Sequence, residues 1–414
     1  MSFELFIAMR YLRAKRKQTF ISVISFFSVV GIALGVASLI VAMGIMNGFT
    51  NDFREKILEA NPHIIVYNLF GPMTEYEEIG RRIESVPGVK LVTPFLYTDL
   101  VISSAGGAKG VMLRGIDPKT AAGVISVLNK LEKGDLQRLE ALEEGEVSAT
   151  PGIIIGRKLA RDILKVDVGQ RVNLLSPSGR RSTAGFTPKI SAFSVAGIFS
   201  TGMFAFDSSL AFVSIESARD LLGLSDQRIH GLEVAVNEVF NADKIAGDIH
   251  KALGDNYTAE SWMTSNSNVF AALQLEKLAM GIVLTIIILV ASFSVFTTLI
   301  MMVMEKTRDI AILMSIGATR KSVARIFWYQ GMIICSIGTI IGFGLGTVLS
   351  VLLKKYEFIK LPEGVYPVNH VPMLLQTQDL MLIALSSVVI CALATLYPAR
   401  RASRLTPVEA LQYE

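Results

Sequence analysis

The chain of 414 residues has only four histidines and two cysteines, and neither type is placed for chemistry. His63, His230, His250 and His370 are scattered, with no HExxH and no paired ligand spacing, which excludes the common zinc arrangements. Cys335 and Cys391 each lie inside a long apolar run, so there is no disulfide framework and no CxxC site. A nucleophile elbow is missing as well: Gly197-Ile-Phe-Ser-Thr-Gly202 has the wrong spacing for GxSxG and reads as the end of a strand. The nearest approach to a phosphate cradle, Gly317-Ala-Thr-Arg-Lys-Ser322, has Ser315 and Arg320 where GxxxxGK[ST] requires glycines. Glu143, Glu144 and Glu146 read as a solvated linker and not as a catalytic carboxylate pair. No site remains for an enzyme acting alone, and any nucleotide has to be bound by another chain.

Charge is scarce too: 18% of residues are charged against 51% hydrophobic, and the mean hydropathy of +0.49 is too high for a water-soluble chain of this size. Residues 18–51, 278–304, 326–353 and 380–399 contain no Asp, Glu, Lys, Arg or His. Each is long enough to cross ~30 Å of hydrocarbon, which takes about 20 apolar residues. The first follows Arg10, Arg13, Lys15, Arg16 and Lys17 in the manner of a signal peptide, but far exceeds the roughly 7–15 residues of a signal core, so it reads as an uncleaved anchor. Spans without an ionisable group argue against a proton- or ion-coupled carrier, and no filter-like loop or charged ring marks a pore. A net charge of +4 is too small for a nucleic-acid binder.

Positive charge gathers beside the spans. The loop between the second and third holds Lys306, Arg308, Arg320, Lys321 and Arg325 against Glu305 and Asp309, and the tail holds Arg400, Arg401 and Arg404 against Glu409 and Glu414. These ends and the basic N-terminal tail are assigned to the cytoplasm. Residues 52–275, with 23 positive and 27 negative side chains, belong on the other side. The expected order is a cytoplasmic amphipathic helix (1–17), a membrane helix (18–46), a large domain (47–274), a second membrane helix (275–304), a cytoplasmic helix (305–323), a third membrane helix (324–353), a short loop (354–379), a fourth membrane helix (380–399) and a cytoplasmic tail (400–414).

Within the large domain, alternating apolar patterns predict strands over 63–67, 91–96, 109–114, 171–175, 193–198, 210–214, 232–236 and 257–261. Helical patterns cover 76–85, 119–133, 157–164, 215–222 and 242–253, giving an α+β domain. Residues 176–188, with two prolines and two glycines, read as a long polar loop that is either solvated or in contact with a partner.

Residues 305–323 read as a short helix stopped near Gly317 and a new start capped by Thr319; such a helix between two spans either transmits force or lies at the interface. Phe3, Phe6, Ile7 and Tyr11 share a face of an in-plane helix. Gly31 with Gly35, and Gly338 with Gly342 and Gly346, are spaced for close helix packing, within this chain or against another.

The segment Met304-Glu-Lys-Thr-Arg-Asp-Ile-Ala-Ile-Leu-Met-Ser-Ile-Gly-Ala-Thr319, the tail from Leu396-Tyr-Pro-Ala399 to Glu414, and Gly31-Ile-Ala-Leu-Gly-Val-Ala37 with Met46-Asn-Gly-Phe49 resemble the LolC/LolE lipoprotein-releasing permeases, and the resemblance covers the whole chain. The EK-x-RDIA segment and the P-x-EAL tail are shared more widely with FtsX/MacB-type permeases. The MNGF element, the start Phe6-Ile-Ala-Met-Arg-Tyr11 and the LYPA tail narrow it to the lipoprotein branch.

The resemblance implies an α-helical membrane protein with four transmembrane helices and a large MacB-like α+β periplasmic domain between the first and second. It also implies a bacterial inner-membrane location. The implied partners are two copies of a LolD-type ATPase that binds ATP and Mg, a second LolC/LolE-type permease or a second copy of this chain, triacylated lipoproteins lifted from the outer leaflet, and a periplasmic LolA-type carrier. No cofactor is implied in this chain. ATPase coupling falls to Glu305, Lys306, Arg308, Asp309, Ile310, Leu313, Gly317 and Ala318, and the acyl-chain cavity to Met43, Met46 and Phe49, where methionine supplies an adaptable wall. A carrier hook would use Pro177, Gly179, Arg180, Arg181 and Phe186. The alternatives are a MacB-type mechanotransmitting efflux permease and an FtsX-like signalling permease that controls a cell-wall hydrolase.

Overall fold

The computed structural model describes residues 3–13, 19–140, 150–182, 185–224, 227–356 and 371–403. Helices α1 (Phe3–Arg13) and α2 (Thr19–Ala60) come first. Strand β1 (Ile64–Asn68), helix α3 (Tyr76–Glu84) and strands β2 (Val89–Ser104), β3 (Gly107–Ile116), β4 (Lys133–Gly134), β5 (Gly152–Gly156), β6 (Arg171–Ser182) and β7 (Gly185–Phe199) follow. Then come α4 (Phe204–Ser209), β8 (Leu210–Ser214), α5 (Ile215–Leu222), β9 (Gly231–Val236), α6 (Ala242–Leu253), β10 (Tyr257–Ser261) and α7 (Trp262–Ser265). Helices α8 (Ser267–Glu305), α9 (Thr307–Ser315), α10 (Arg320–Tyr356) and α11 (Thr377–Ala402) complete the chain. Contacts divide it into a helical unit, holding the described residues up to Asn51 and from Ala272 onward, and an inserted unit within Asp52–Ala271.

Four helices, α2, α8, α10 and α11, are long and apolar enough to cross a membrane. Their shared core brings together Val36 and Ile40 of α2, Val295 and Leu299 of α8, Ile334 and Cys335 of α10, and Ile383 and Cys391 of α11. Small residues set the closest approach. A Cβ on Gly342 would lie 2.5 Å from the Ala33 carbonyl oxygen, and one on Gly346 3.0 Å from the Ala37 Cα, so α10 rides against the backbone of α2. Gly338 meets Ile32 in the same groove, so this glycine row packs within the chain. Gly31 and Gly35 do not form the matching contact: a Cβ on Gly31 would meet nothing within 4 Å, and one on Gly35 only Ile287 at 3.9 Å. The buried hydroxyls of Ser28 and Thr298, 2.7 Å apart, join α2 to α8, a bond of the kind that contributes about 0.6 kcal/mol in a membrane.

The inserted unit is built on a mixed sheet of ten strands in the order β10-β1-β9-β2-β3-β8-β5-β7-β4, with β6 pairing β2 and β7. Strands β3 and β8, and β5 and β7, are parallel; the remaining pairs are antiparallel. Ile153, Ile155 and Val213 face one core, and Ile154 and Phe212 face another, so β5 and β8 are covered on both faces. That explains why β5 was not predicted: a five-residue run, Gly-Ile-Ile-Ile-Gly, buried on both sides carries no alternation.

One helical expectation gives way, and a second is met by a wider turn. Residues 119–133 form two short 3₁₀ turns, Ala121–Gly123 and Ser126–Asn129, and no continuous helix. β-branched Val124, Ile125 and Val127 disfavour the helix, and Gly123 interrupts it. Residues 157–164 contain a π-turn over Leu159–Leu164, ended by Lys165 at a φ of 54°. The polar run at 176–188 is not an open loop either. Strands β6 and β7 extend through it as a hairpin, pairing Arg180 with Thr187 and Arg181 with Phe186, and a register shift between Ser176 and Arg180 takes up Pro177 and Gly179. The acidic linker Glu143, Glu144 and Glu146 lies outside the described residues.

Candidate functional site

The segment between α8 and α10 is a helix–turn–helix with one buried and one open face. Glu305 is the last residue of α8, and Lys306 holds Asp309 at 3.2 Å while its ammonium lies 5.3 Å from the centre of the Tyr11 ring in α1. Ile310 and Ala311 are buried with Met302, Val323, Phe327 and Ala399. Ile310 therefore anchors α9 to the helical unit and does not reach outward; a residue at helical spacing from Leu313 and Gly317 faces the core here because α10 runs beneath it.

Gly317 ends α9 with a φ of +106°, its N–H bonding the Met314 carbonyl while the Ala318 N–H bonds that of Leu313. Thr319 then accepts the Ser322 N–H and caps α10. Leu313, Gly317 and Ala318 line a cleft of about 310 Å³ together with Phe3 of α1, and Glu305, Arg308, Ile312 and Ile316 stay exposed, Ile316 by 80%.

At the other end of α2, Met46 is buried, Met43 and Phe49 are half-buried, and Met43 packs against the shared helical core. A further close approach on this helix occurs at Gly44 and Gly48, four residues apart, where the irregular residues 371–376 lie across it. The Leu374 N–H donates to the Gly44 carbonyl at 2.9 Å. A Cβ on Gly48 would sit 2.4 Å from the Pro372 carbonyl oxygen. Beside this strap, the buried Asn47 amide donates to Asp379 at the start of α11 and accepts from Lys277 of α8 at 3.0 Å. Asn47 thus joins three of the long helices. Sequence reasoning marked the MNGF element without seeing this role; the signal was a Gly-xxx-Gly pair flanking an amide in an otherwise apolar helix.

In the inserted unit, Arg114 and Glu233 form a buried ion pair, with the Arg114 Nε 2.7 Å from Glu233 Oε1. The same guanidinium donates from Nη1 to the carbonyl of Ala60, the last residue of α2, at 3.1 Å. It satisfies a carbonyl that the helix end leaves open and complements the helix dipole. Burial pushes the Glu233 carboxyl above its usual range, and the Arg114 charge opposes that shift. Asp207, also buried, accepts from Ser200 Oγ, from Thr201 N and Oγ1, and from Gly202 N, fixing the turn between β7 and α4.

The hook residues Pro177, Gly179, Arg180, Arg181 and Phe186 lie on the β6–β7 hairpin by backbone; their side chains lie outside the described residues. His63 and His230 are held by neighbours: the Nδ1 atoms accept the Val236 and Tyr97 N–H groups at 3.0 Å, and burial keeps both imidazoles below their usual pKa. His370 lies outside the described residues.

The family model for the MacB-like periplasmic core domain matches residues 25–252, and that for the FtsX-like permease C-terminal region matches residues 281–407. Among curated proteins, the lipoprotein-releasing system transmembrane protein LolC of Neisseria meningitidis serogroup B is 35% identical over 100% of both chains. LolC of Xylella fastidiosa (strain Temecula1) is 32% identical over 99% of this chain and 98% of its own. LolE of Haemophilus influenzae is 29% identical over 99% of each.

Proposed function

The chain belongs to the LolC/LolE family of lipoprotein-releasing ABC permease subunits, and from that premise we propose that it lifts lipidated proteins out of the inner membrane and passes them to a periplasmic carrier. The observation that carries the reading is identity with LolC along the full length, across the helices and the inserted domain alike.

In this proposal α2, α8, α10 and α11 span the membrane with both chain termini in the cytoplasm, where the basic residues gather. Two copies of a LolD-type ATPase bind ATP and Mg and dock on Arg308, Ile312 and Ile316 and in the cleft beside Leu313, Gly317 and Ala318. A second permease subunit completes the pathway, because four spans make a poor enclosure. Met43, Met46 and Phe49 supply the apolar wall for acyl chains, and the β6–β7 hairpin, basic at Arg180 and Arg181, takes the LolA-type carrier.

One preparation tests both surfaces. Detergent-purified complex carrying R308E/I316D is expected to lose most of its ATPase while still capturing the carrier, and complex carrying R180E/R181E is expected to show the reverse. Each is read by pull-down against the parent complex. Unchanged capture of both partners by both variants counts against these assignments.

A further inference from the structure

We propose that the helical unit carries a binding site for the headgroup of an anionic phospholipid, in the cleft of about 320 Å³ between the start of α10 and the end of α11. The cleft is lined by Arg325, Trp328 and Tyr329 from α10 and by Leu396, Ala399 and Arg400 from α11. The inference rests on reading the four apolar helices as membrane spans.

Both walls change character at the same level. Helix α10 begins with Arg320, Lys321 and Arg325 and turns apolar from Ile326; α11 is apolar up to Ala399 and ends in Arg400 and Arg401. A cleft at that boundary lies where phosphates end and acyl chains begin. Arg325 and Arg400 are exposed at its edge, and two guanidinium forks suit a phosphodiester, which offers paired oxygens to planar donors. The acidic neighbour is Glu4 of α1, whose carboxylate lies 3.9 Å from Arg325, at the limit of an ion pair; the Arg325 side chain remains 64% exposed.

The floor of the cleft fits lipid better than it fits a free anion. The Trp328 and Tyr329 ring centres are 5.4 Å apart, and such residues favour the headgroup level, with an apolar body and a polar tip. Leu393 and Leu396 continue along α11 with their side chains exposed, a track on which an acyl chain can lie. Inorganic phosphate would use the arginines and leave the aromatic and leucine surfaces bare, whereas a lipid with a single net negative charge uses all three.

The test uses the purified complex in detergent, incubated with dioleoyl phosphatidylglycerol, dioleoyl phosphatidylcholine or inorganic phosphate and read by native mass spectrometry. The parent is expected to retain phosphatidylglycerol in preference to phosphatidylcholine and to keep it in millimolar phosphate. R325Q/R400Q is expected to bind phosphatidylglycerol about 30-fold more weakly, at about 1 kcal/mol per basic residue, with R325K/R400K intermediate. Equal retention of both lipids, full displacement by phosphate, or unchanged binding by R325Q/R400Q would overturn the proposal, as would a variant that loses its ATPase while keeping the lipid.

A second measurement needs no arginine variant. The chain has two tryptophans, and Trp262 is buried within the inserted unit, so in a complex whose partner chains have their tryptophans replaced by phenylalanine, quenching by lipids with brominated acyl chains reports Trp328. Stronger quenching by brominated phosphatidylglycerol than by brominated phosphatidylcholine supports the site, and equal quenching defeats it. Quenching by neither lipid, or recovery of the chain in the soluble fraction, defeats the membrane reading instead.

Discussion

Replacing Glu233 with alanine is expected to cost about 3–5 kcal/mol of stability, because it leaves the Arg114 guanidinium buried without its counter-charge. A domain is stable by only about 5–15 kcal/mol, so a loss of this size is expected to depress the level of protein in the cell several-fold. The effect should be specific to the unpaired charge. Exchanging both Arg114 and Glu233 for methionine removes two desolvated ions together, and its cost is expected to be small or reversed in sign.

The double variant should still differ from the parent in one place. Without Arg114 the carbonyl of Ala60 loses its donor, so the last turn of α2 is expected to exchange amide hydrogens faster even where global stability is restored. Denaturant midpoints of the three proteins, with exchange resolved over residues 52–60, check both statements. A Glu233→Ala unfolding free energy within about 0.5 kcal/mol of the parent would sink the first.

Replacing Gly48 with leucine is expected to abolish lipoprotein release while leaving the chain in the membrane. Even the first added carbon would stand 2.4 Å from the Pro372 carbonyl oxygen and 2.7 Å from the Met373 nitrogen, both backbone atoms that no rotamer change can move. Residues 371–376 must then lift from α2, breaking the Leu374 to Gly44 hydrogen bond and pulling on the Asn47 link to Asp379. Overpacking of this kind costs about 1–3 kcal/mol. Gly31→Ala in the same helix is the matched control: its Cβ meets nothing within 4 Å, so release and thermal stability are expected to stay close to those of the parent. Release of a triacylated substrate from proteoliposomes on addition of ATP distinguishes the two variants, and full activity in Gly48→Leu would contradict the role given to this strap.

The parts legible in the sequence were those with a strong local signal. Helices α5 and α6 have the predicted bounds because each carries a clear apolar period and ends at a glycine, Gly223 and Gly254. Thr319 and Gly317 were readable as cap and stop because their side-chain and backbone chemistry acts within three residues. What escaped was set by residues distant in the chain. Nothing near Gly48 announces Pro372, whereas the equally spaced Gly31 and Gly35 meet no such neighbour. Glu233 is the lone charge of an apolar strand and Arg114 follows the apolar run 111–113, a sign that each has a partner, but 119 positions separate them and no local pattern says who it is. Ile310 looked like part of the docking face because spacing alone cannot tell the two sides of α9 apart until α10 is packed beneath it.

Purifying the chain from membranes in mild detergent with whatever stays bound, and identifying the bound proteins by mass spectrometry, tests the assignment to lipoprotein release most directly. The expected result is an ATPase together with a second permease copy and triacylated lipoproteins. An ATPase accompanied by cell-wall hydrolase components, with no lipoprotein, would contradict it.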